Sequence, residues 1–263
     1  MKVSVIVPAW GETPYLDKAL ASIRAQTRPE VELVVAAPPP DGPQTLPAAR
    51  QAGLARATGE LVMFCDADDW LDRDAVERMV RAMADEVDVV CCGLIRERAD
   101  GSCEVRPFDR EGPSDTYNAL VNKLFRRRVL TGLEVDAAVG LGEDLMVTAQ
   151  ALAKARKIAV VDGAFYHYRE NPQSMTHRQA GRQRVRDLAR VGALLRETLP
   201  DVRYDDFHDR VTRDAMLLWI RHRVCDRALW RELRGRLKGG LLADPRHGLL
   251  KKGALFCASC LFD

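Results

Sequence analysis

The first hundred residues alternate short apolar runs with amphipathic stretches. An apolar run of about four to eight residues between turn residues predicts a buried strand, and apolar residues three and four apart predict a helix with one buried face. Strands separated by such helices favour a mostly parallel sheet with helices on both sides. The predicted strands are Lys2–Val7, Val31–Ala36, Glu60–Cys65 and Val87–Ile95, and the predicted helices are Tyr15–Gln26, Pro47–Thr58 and one capped by Asp72.

The pattern becomes less regular after Gly112 and then wholly helical from Arg178 onwards. Asp100-Gly101 predicts a tight turn into a further strand. We therefore predict an α/β domain over residues 1–175 and an α-helical C-terminal extension over residues 176–263. Between Gly112 and Arg178 the predicted helices are Asn118–Val129 and Glu143–Ala155, and the predicted short strands are Ile158–Val161 and Ala164–Tyr168.

Composition excludes several classes of protein. The 263 residues are 47% hydrophobic and 30% charged, which suits a folded core, and the net charge of +2 favours no particular partner. No apolar run is long enough to span a bilayer, and the N-terminus lacks the layout of a signal peptide. An aromatic content of 6% without a nucleic-acid motif argues against nucleic-acid binding.

The seven cysteines favour reduced thiols and hence a cytoplasmic protein. Their number is odd, Cys91 and Cys92 are adjacent, and Cys65 lies within an apolar run. This pattern suits a reduced core better than a disulfide framework. Cys257 and Cys260 have C-x-x-C spacing, for which two small apolar residues in a C-terminal helix are favoured over a metal or redox pair.

Three carboxylates directly follow the third predicted strand, in the sequence CDADDW. Buried charges are costly unless they are paired, so Asp66, Asp68 and Asp69 either emerge into solvent or surround a cation. Ligands of such sheets bind at the carboxyl ends of the strands. Carboxylates on a turn suit Mg²⁺ or Mn²⁺ whose shell is completed by phosphate oxygens, which favours a nucleoside diphosphate. Capping of the next helix is the alternative, chiefly for Asp69 and Asp72.

Six short motifs occur in an order that resembles glycosyltransferase family 2. None is specific alone, but their order and spacing over roughly residues 2–175 carry the resemblance. It implies the Rossmann-like GT-A fold. The motifs are VIVPAW at Val5–Trp10, AARQAGLARATGE at Ala48–Glu60, FCDADDWL at Phe64–Leu71, NKLF at Asn122–Phe125, GEDL at Gly142–Leu145 and YHYR at Tyr166–Arg169.

The resemblance implies an inverting enzyme that moves a sugar from a nucleotide-diphospho-sugar, with UDP preferred, to a hydroxyl acceptor. It places Mn²⁺ or Mg²⁺ at Asp66 and Asp68, where a divalent cation stabilises the diphosphate leaving group. Asp144, beside Glu143, is implied as the general base that takes the proton of the acceptor. An acidic first helical turn is the alternative interpretation of that pair. His167 is a candidate further metal ligand, with ordinary packing as its alternative.

Further residues are candidates for donor contacts on the same resemblance. Arg169 and Ser174 stand where relatives clasp the diphosphate, a task that suits a guanidinium. Asn122 and Lys123 are candidates for the sugar site, or for an ordinary helix surface. The candidate nucleotide contacts are Pro8, Trp10, Glu12, Asp41, Arg50, Asp66 and Ala67.

The loop after the second predicted strand departs from the family pattern. Relatives have an acidic pair there that contacts the base or ribose, whereas this chain reads VVAAPPPDG. Ala36 and Ala37 have no side-chain acceptor. We expect backbone groups near Pro8, stacking by Trp10, or Asp41 to replace the missing contact.

Two other functions are alternatives to that of a transferase. A degenerate protein of the same fold, acting as a sugar-binding or partner subunit, is suggested by the altered loop and opposed by the intact DAD and GED motifs. A haloacid-dehalogenase-type phosphatase also places D-x-D after a strand. That class normally uses the first strand and needs Thr or Val where this chain has Trp70.

The C-terminal segment is rich in arginine. Amphipathic helices of this kind attract anionic lipid head groups, although solvated helix faces are the alternative. We predict that Arg178–Lys252 contributes to peripheral membrane or partner binding. The resemblance implies a saccharide or lipid-linked acceptor, in bacterial cell-surface polysaccharide or glycoconjugate synthesis.

Overall fold

The computed structural model describes residues 1–9, 14–109, 118–171, 181–201, 204–224 and 226–237, with 251–252, 254–255 and 258. The chain forms two compact units. The first comprises residues 1–138 and 143–172, and the second comprises residues 139–142 and 173–263. Cys257 and Cys260 lie outside the described residues.

The first unit is built on an eight-stranded sheet. Its strands are β1 (Val3–Pro8), β2 (Val31–Ala36), β3 (Leu61–Phe64), β4 (Trp70–Leu71), β5 (Val89–Glu97), β6 (Cys103–Arg106), β7 (Lys123–Arg126) and β8 (Ile158–Arg169). The order is β2-β1-β3-β7-β5-β8-β4, with β6 on β5. β1 is parallel to β2 and β3, and β5 is parallel to β8, whereas β4, β6 and β7 pair antiparallel. The sheet is therefore mixed, with the predicted parallel arrangement in its first three strands.

Helices flank this sheet, so the predicted α/β architecture is confirmed. They are α1 (Leu16–Arg24), α2 (Leu46–Arg56), α3 (Ala75–Arg81), α4 (Arg127–Leu130) and α5 (Glu143–Lys154). Thr45 caps α2 by accepting a hydrogen bond from the Ala48 amide, as an N-cap residue should. Gly53 lies on the inner face of α2, where an added Cβ would overlap Cγ2 of Ile6 in β1. The position of α2 on the sheet is therefore closely defined.

The central strands are buried on both faces. Every residue of β1 and β3 is buried, which explains why their sequences are continuous apolar runs rather than alternating ones. The apolar side chains of β1, β3, β5 and β7 form the core of this unit. Because these strands are fixed in the core, the segment that follows Phe64 has a defined position at the sheet edge.

The predicted helix Asn118–Val129 is wrong. Its C-terminal half is strand β7, followed by the short helix α4. Leu124 and Phe125 are both fully buried, in the interior of the sheet between β3 and β5. A short apolar run that is buried on both faces has no periodicity that distinguishes a strand from a helix.

The two predicted strands near residue 160 are one long strand, β8. It continues through Gly163, which has a φ of +111°, and its register against β5 shifts at Gly93. The glycine makes this irregularity tolerable because positive φ values carry little steric cost without a Cβ. The predicted break therefore corresponds to a bulge rather than to a chain reversal.

Asp72 does not cap α3, contrary to the prediction. The helix begins at Ala75 with Asp74 at the N-cap position, and no side-chain cap is formed. The carboxylate of Asp72 instead lies 3.0 Å from Nε2 of His167. The adjacent pairing of β4 with β8 brings these two side chains together.

A buried aspartate ties the start of β5 to two distant segments. Asp88 is 1% exposed and accepts hydrogen bonds from Nε of Arg128 at 3.0 Å and from the backbone amide of Arg156 at 2.9 Å. Burial alone would raise the pKa of Asp88, but hydrogen bonds from Arg156 and Arg128 lower it to about 2. This carboxylate is a structural ion, paired by arginines on both sides.

The described part of the second unit is helical, as predicted. Its long helices are α6 (Gly181–Thr198), α7 (Asp205–Arg221) and α8 (Arg227–Gly235). Trp219 and Trp230 pack with ring centroids 5.0 Å apart at the centre of a separate apolar core. Within the described part of the chain, no helix combines the length and apolar character needed to cross a bilayer.

Candidate active site

The DAD motif forms a turn at the end of β3, and strand β8 holds it in place. The Asp69 amide donates to the Asp66 carbonyl at 3.1 Å. The hydroxyl of Tyr166 accepts from the Asp66 amide at 3.0 Å and donates to Oδ2 of Asp69 at 2.6 Å. The backbone amide of Arg169 donates to Oδ1 of Asp69 at 2.8 Å. Asp69 is therefore a buried anchor of the turn, rather than a ligand or a helix cap.

Arg50 brings the DAD turn and the GED motif together. Its side chain is 5% exposed and extends from α2. Nη2 donates to Oδ1 of Asp66 at 2.6 Å, and Nη1 donates to both Glu143 and Asp144 at the start of α5. Three carboxylates from two segments thus share one guanidinium.

The electrostatics of this cluster are unbalanced towards negative charge. Burial raises the pKa of Glu143 above its ordinary value; Arg50 opposes this shift, and Asp144 and Asp66 reinforce it. Burial likewise raises the pKa of Asp66, again against the effect of Arg50. Because one guanidinium faces three carboxylates, a further cation would stabilise their ionised forms.

The turn offers oxygen atoms suited to such a cation. Among the described residues, Oδ2 of Asp66 and Oδ1 of Asp68 have no hydrogen-bond partner, while the other oxygen of each accepts from Arg50 and Asn171 respectively. Two carboxylates fit Mg²⁺ or Mn²⁺ when phosphate oxygens and water complete the shell. The described residues contain no group of three or more His, Cys, Asp or Glu side chains arranged to hold a metal on their own.

His167 contacts other groups than these oxygens. Its ring is stacked on Trp70 with centroids 4.8 Å apart. Nδ1 lies 2.7 Å from Oε1 of Glu97, and Nε2 lies 3.0 Å from Oδ1 of Asp72. Both ring nitrogens therefore have carboxylate partners other than Asp66 and Asp68, which favours the packing alternative over metal ligation.

Arg169 stands beside the DAD turn, at the end of β8. Its Nε donates to the backbone carbonyl of Asp68 at 3.1 Å, and its guanidinium carbon lies 4.0 Å from the ring centroid of Tyr15. The guanidinium is thus held next to the carboxylates of the turn. This placement suits a contact with an anionic ligand at the turn.

Asn122 and Lys123 are fully buried, so the alternative of an ordinary helix surface is wrong for both. Nδ2 of Asn122 donates to the carbonyl of Cys92 at 2.7 Å. Nζ of Lys123 donates to the carbonyl of Ala119 at 2.5 Å and to Oδ1 of Asn122 at 2.8 Å. Burial lowers the pKa of Lys123 to about 8. These contacts hold both side chains inside the first unit, beside strands β5 and β7.

The candidate nucleotide contacts are only partly within the described structure. Pro8 ends β1 and is buried, and Ala67 lies on the DAD turn. Asp41 is exposed, in the turn closed by the hydrogen bond from the Gly42 amide to the Pro39 carbonyl. The predicted contacts Trp10, Glu12 and Ser174 lie outside the described residues.

A cavity of about 210 Å³ adjoins the cluster between α2 and α5. Apolar side chains such as Leu54, Phe64 and Val147 form most of its wall, and Arg50 and Glu143 contribute polar atoms. Because these apolar walls offer the Arg50 guanidinium no polar partner on this side, its buried charge is stabilised mainly by the three carboxylates.

Two roles in this site escaped the sequence analysis. Tyr166 lies in the YHYR motif, but nothing in its spacing indicated that its hydroxyl holds the DAD turn. Arg50 was expected beside a nucleotide, whereas its side chain donates to the carboxylates of both acidic motifs. A buried tyrosine hydroxyl needs a partner, which is the one signal that could have pointed to Tyr166.

The fold and these acidic motifs define a GT-A-type α/β domain, and comparisons with known proteins agree. The model of glycosyl transferase family 2 matches residues 41–123. EpsH of Bacillus subtilis (strain 168), which carries the name of a glycosyltransferase, is 27% identical over 216 residues, covering 67% of this chain and 63% of that protein. EpsJ of the same organism, named likewise, is 23% identical over 215 residues, covering 66% and 62%.

The fold is also similar to that of a solved structure that contains a nucleotide-sugar. Staphylococcus aureus TarS, residues 1–349 in complex with UDP-GlcNAc, superposes with a TM-score of 0.62 at 18% identity, over 84% of this chain and 73% of that chain. The chain spans just under two thirds of the length of the two Bacillus relatives. These matches confirm the resemblance to glycosyltransferase family 2 that was inferred from the six motifs, over the part of the chain that each match covers.

Proposed function

We propose that the protein transfers a sugar from a nucleotide-diphospho-sugar to a hydroxyl acceptor, with inversion at the anomeric carbon. The observation that carries this proposal is the set of contacts made by Arg50. They bring Asp66, from the motif proposed to hold the donor, next to Glu143 and Asp144, from the motif proposed to activate the acceptor. Donor and acceptor chemistry would therefore take place at one position.

Asp144 is the better candidate for the general base of the pair. Its side chain is 35% exposed, whereas that of Glu143 is 10% exposed, so an acceptor hydroxyl can reach Asp144 more readily. Burial also favours the protonated form of Glu143, so a smaller fraction of this side chain is ionised and able to accept a proton. In this proposal Glu143 contributes to holding Arg50, and Asp144 accepts the proton of the attacking hydroxyl.

Asp66 and Asp68 would hold Mn²⁺ or Mg²⁺ through the oxygens that lack a partner among the described residues. When bound, the cation supplies Lewis-acid stabilisation of the diphosphate leaving group. Arg169, held against the carbonyl of Asp68, adds positive charge from the protein itself. We retain Ser174 as a proposed second contact to the diphosphate.

The donor we favour is a UDP-sugar, and the UDP-GlcNAc complex of TarS supports that choice. Pro8, Trp10, Glu12, Asp41 and Ala67 remain proposed nucleotide contacts. A saccharide or lipid-linked acceptor in bacterial cell-surface polysaccharide or glycoconjugate synthesis fits the same proposal, and so does a cytoplasmic location.

Peripheral membrane contact through Arg178–Lys252 is proposed separately. Arginines on amphipathic helices can bind anionic head groups, and such binding weakens with salt. Liposomes that contain anionic lipid should bring the protein down at low ionic strength. If neutral and anionic liposomes recover the same fraction of protein, this contact is wrong.

The decisive experiment is a screen of nucleotide-sugars for metal-dependent transfer or hydrolysis, combined with calorimetric binding of UDP. Asp144→Asn should keep donor binding and lower the transfer rate by about 10²–10⁴-fold, the usual contribution of a general base. Asp68→Ala should weaken metal-assisted binding of UDP itself. Asp162→Asn, at an exposed position of β8, is the matched control and should behave as wild type.

Two outcomes would contradict the proposal at different points. Transfer by Asp144→Asn at the wild-type rate would exclude Asp144 as the base. A wild-type protein that binds no nucleotide, with or without Mn²⁺, would favour the degenerate, non-catalytic alternative. The altered loop after β2 is the reason to test this alternative. Its acidic residue, Asp41, is exposed.

A further inference from the structure

Two positive charges converge on one aromatic ring beside the DAD turn. Nζ of Lys18, on α1, lies 3.0 Å from the ring centroid of Trp70. The guanidinium carbon of Arg169 lies 5.0 Å from the same centroid and 4.0 Å from the ring of Tyr15. Trp70 is the first residue after the three aspartates, so both cations lie close to the proposed donor site.

Neither cation forms an ion pair with a carboxylate of the described residues. Among those residues, the Lys18 ammonium has a cation–π contact with Trp70 and an electrostatic attraction to Glu97 without a hydrogen bond. The Arg169 side chain donates a hydrogen bond from Nε to the carbonyl of Asp68. Burial lowers the pKa of Lys18, Arg169 lowers it further, and Glu97 partly opposes both. The two charges are thus close enough to repel each other, which an anion between them would relieve.

Glu97 offsets the charge of Lys18 only in part, because the carboxylates of both Glu97 and Asp72 are engaged by His167. Their carboxylates lie at hydrogen-bond distance from the two ring nitrogens of His167, whose ring is stacked on Trp70. The donors that remain are the ammonium of Lys18 and the Nη groups of Arg169. These N–H donors, supplied by two separate side chains, are suited to the oxygens of a phosphate.

We propose that Lys18 and Arg169 form a two-residue site for the diphosphate of the donor, in which Lys18 is a binding residue additional to the family motifs. This inference rests on the proposed function, because it names the part of the donor that the site holds. Arg169 is fixed by its backbone hydrogen bond to Asp69, and Lys18 is exposed on α1 and can move to meet the ligand. The ligand class is a diphosphate rather than a nucleoside or a sugar.

The test is calorimetric binding of UDP and of uridine to wild type, Lys18→Met and Lys18→Arg, in the presence of Mg²⁺. Lys18→Met should weaken UDP binding about five- to tenfold, and Lys18→Arg should restore most of it because it keeps the charge. Binding of uridine should not change. Lys157→Met is the matched control. Lys157 is an exposed lysine directly before the first residue of β8, and its Nζ pairs with Oε1 of Glu86 at 2.9 Å.

Salt dependence gives a second readout that a merely structural role would not change. Exposed charges are screened over about 10 Å at 0.1 M salt, so UDP affinity should fall less steeply with ionic strength in Lys18→Met than in wild type. Equal UDP affinity and equal salt dependence in the two proteins would overturn the inference.

Inorganic pyrophosphate separates this inference from the proposed function. If wild type binds pyrophosphate and Lys18→Met binds it more weakly, the anion site is supported even where no sugar transfer is found. If transfer is found but Lys18→Met binds pyrophosphate and UDP as wild type does, the transferase proposal stands and the role of Lys18 is wrong. A wild type that binds neither pyrophosphate nor UDP contradicts both.

Discussion

Removal of the Arg50 guanidinium should destabilise the first unit more than the loss of any exposed arginine. Arg50→Met leaves Asp66, Glu143 and Asp144 without their shared partner. A guanidinium and a carboxylate whose charge centres lie about 4 Å apart attract each other by about 4 kcal/mol at an effective dielectric constant of about 20. Desolvation offsets part of this attraction, and breaking a buried pair from one side costs about 3–5 kcal/mol in practice.

We therefore expect Arg50→Met to lower the free energy of unfolding by about 3–5 kcal/mol and Tm by about 6–20 °C. Urea and thermal unfolding followed by circular dichroism would measure both. Arg81→Met is the matched control, because Arg81 is 75% exposed and pairs with Glu77 on the surface of α3. It should cost less than about 1 kcal/mol.

A double variant distinguishes loss of charge balance from loss of packing. Arg50→Met combined with Glu143→Gln removes one of the unpaired carboxylates and should recover about 0.5–3 kcal/mol relative to Arg50→Met alone. Arg50→Lys should lie between wild type and Arg50→Met, because an ammonium keeps the charge but cannot contact three carboxylates with a planar fork. If Arg50→Met costs no more than Arg81→Met, or if Glu143→Gln worsens it, the proposed charge balance is refuted.

Three further predictions address the parts of the fold that position the site. Tyr166→Phe should lower the free energy of unfolding in urea by about 2–3 kcal/mol, because Asp69 loses its hydroxyl donor and the Asp66 amide loses its acceptor. A loss of less than about 0.5 kcal/mol would contradict this role. The pKa of Asp88, lowered from 3.8 to about 2, should contribute about 2 kcal/mol of stability that is present above pH 4 and lost as the pH falls towards 2. The difference in unfolding free energy between wild type and Asp88→Asn should accordingly shrink by about 1 kcal/mol between pH 5 and pH 3, and a difference that grows would show the opposite sign. Gly53→Ala should lower Tm through overlap with β1, at a cost of about 1–3 kcal/mol, and an unchanged Tm would show that α2 can shift.

The sequence predicted most of the first half of the chain because its signals are local. β1, β2 and β3 are largely apolar runs bounded by turn residues. Between them, α1 has one apolar face, and α2 is an alanine-rich helix capped by Thr45. The position of the DAD motif after β3 followed from the same pattern. Where the local pattern was ambiguous, as for β7, the prediction failed, since an apolar run buried on both faces carries no period.

The sequence by itself determined which residue types occur where chemistry is expected: carboxylates after a buried strand and an acidic pair at the start of α5. Only the tertiary structure decided that these segments meet, because Arg50 is 16 residues from Asp66 and 93 residues from Glu143. The same holds for Tyr166, which reaches the DAD turn across 100 residues. A side chain's partners over such separations depend on how the strands and helices pack, and no local period or spacing in a single sequence encodes that packing.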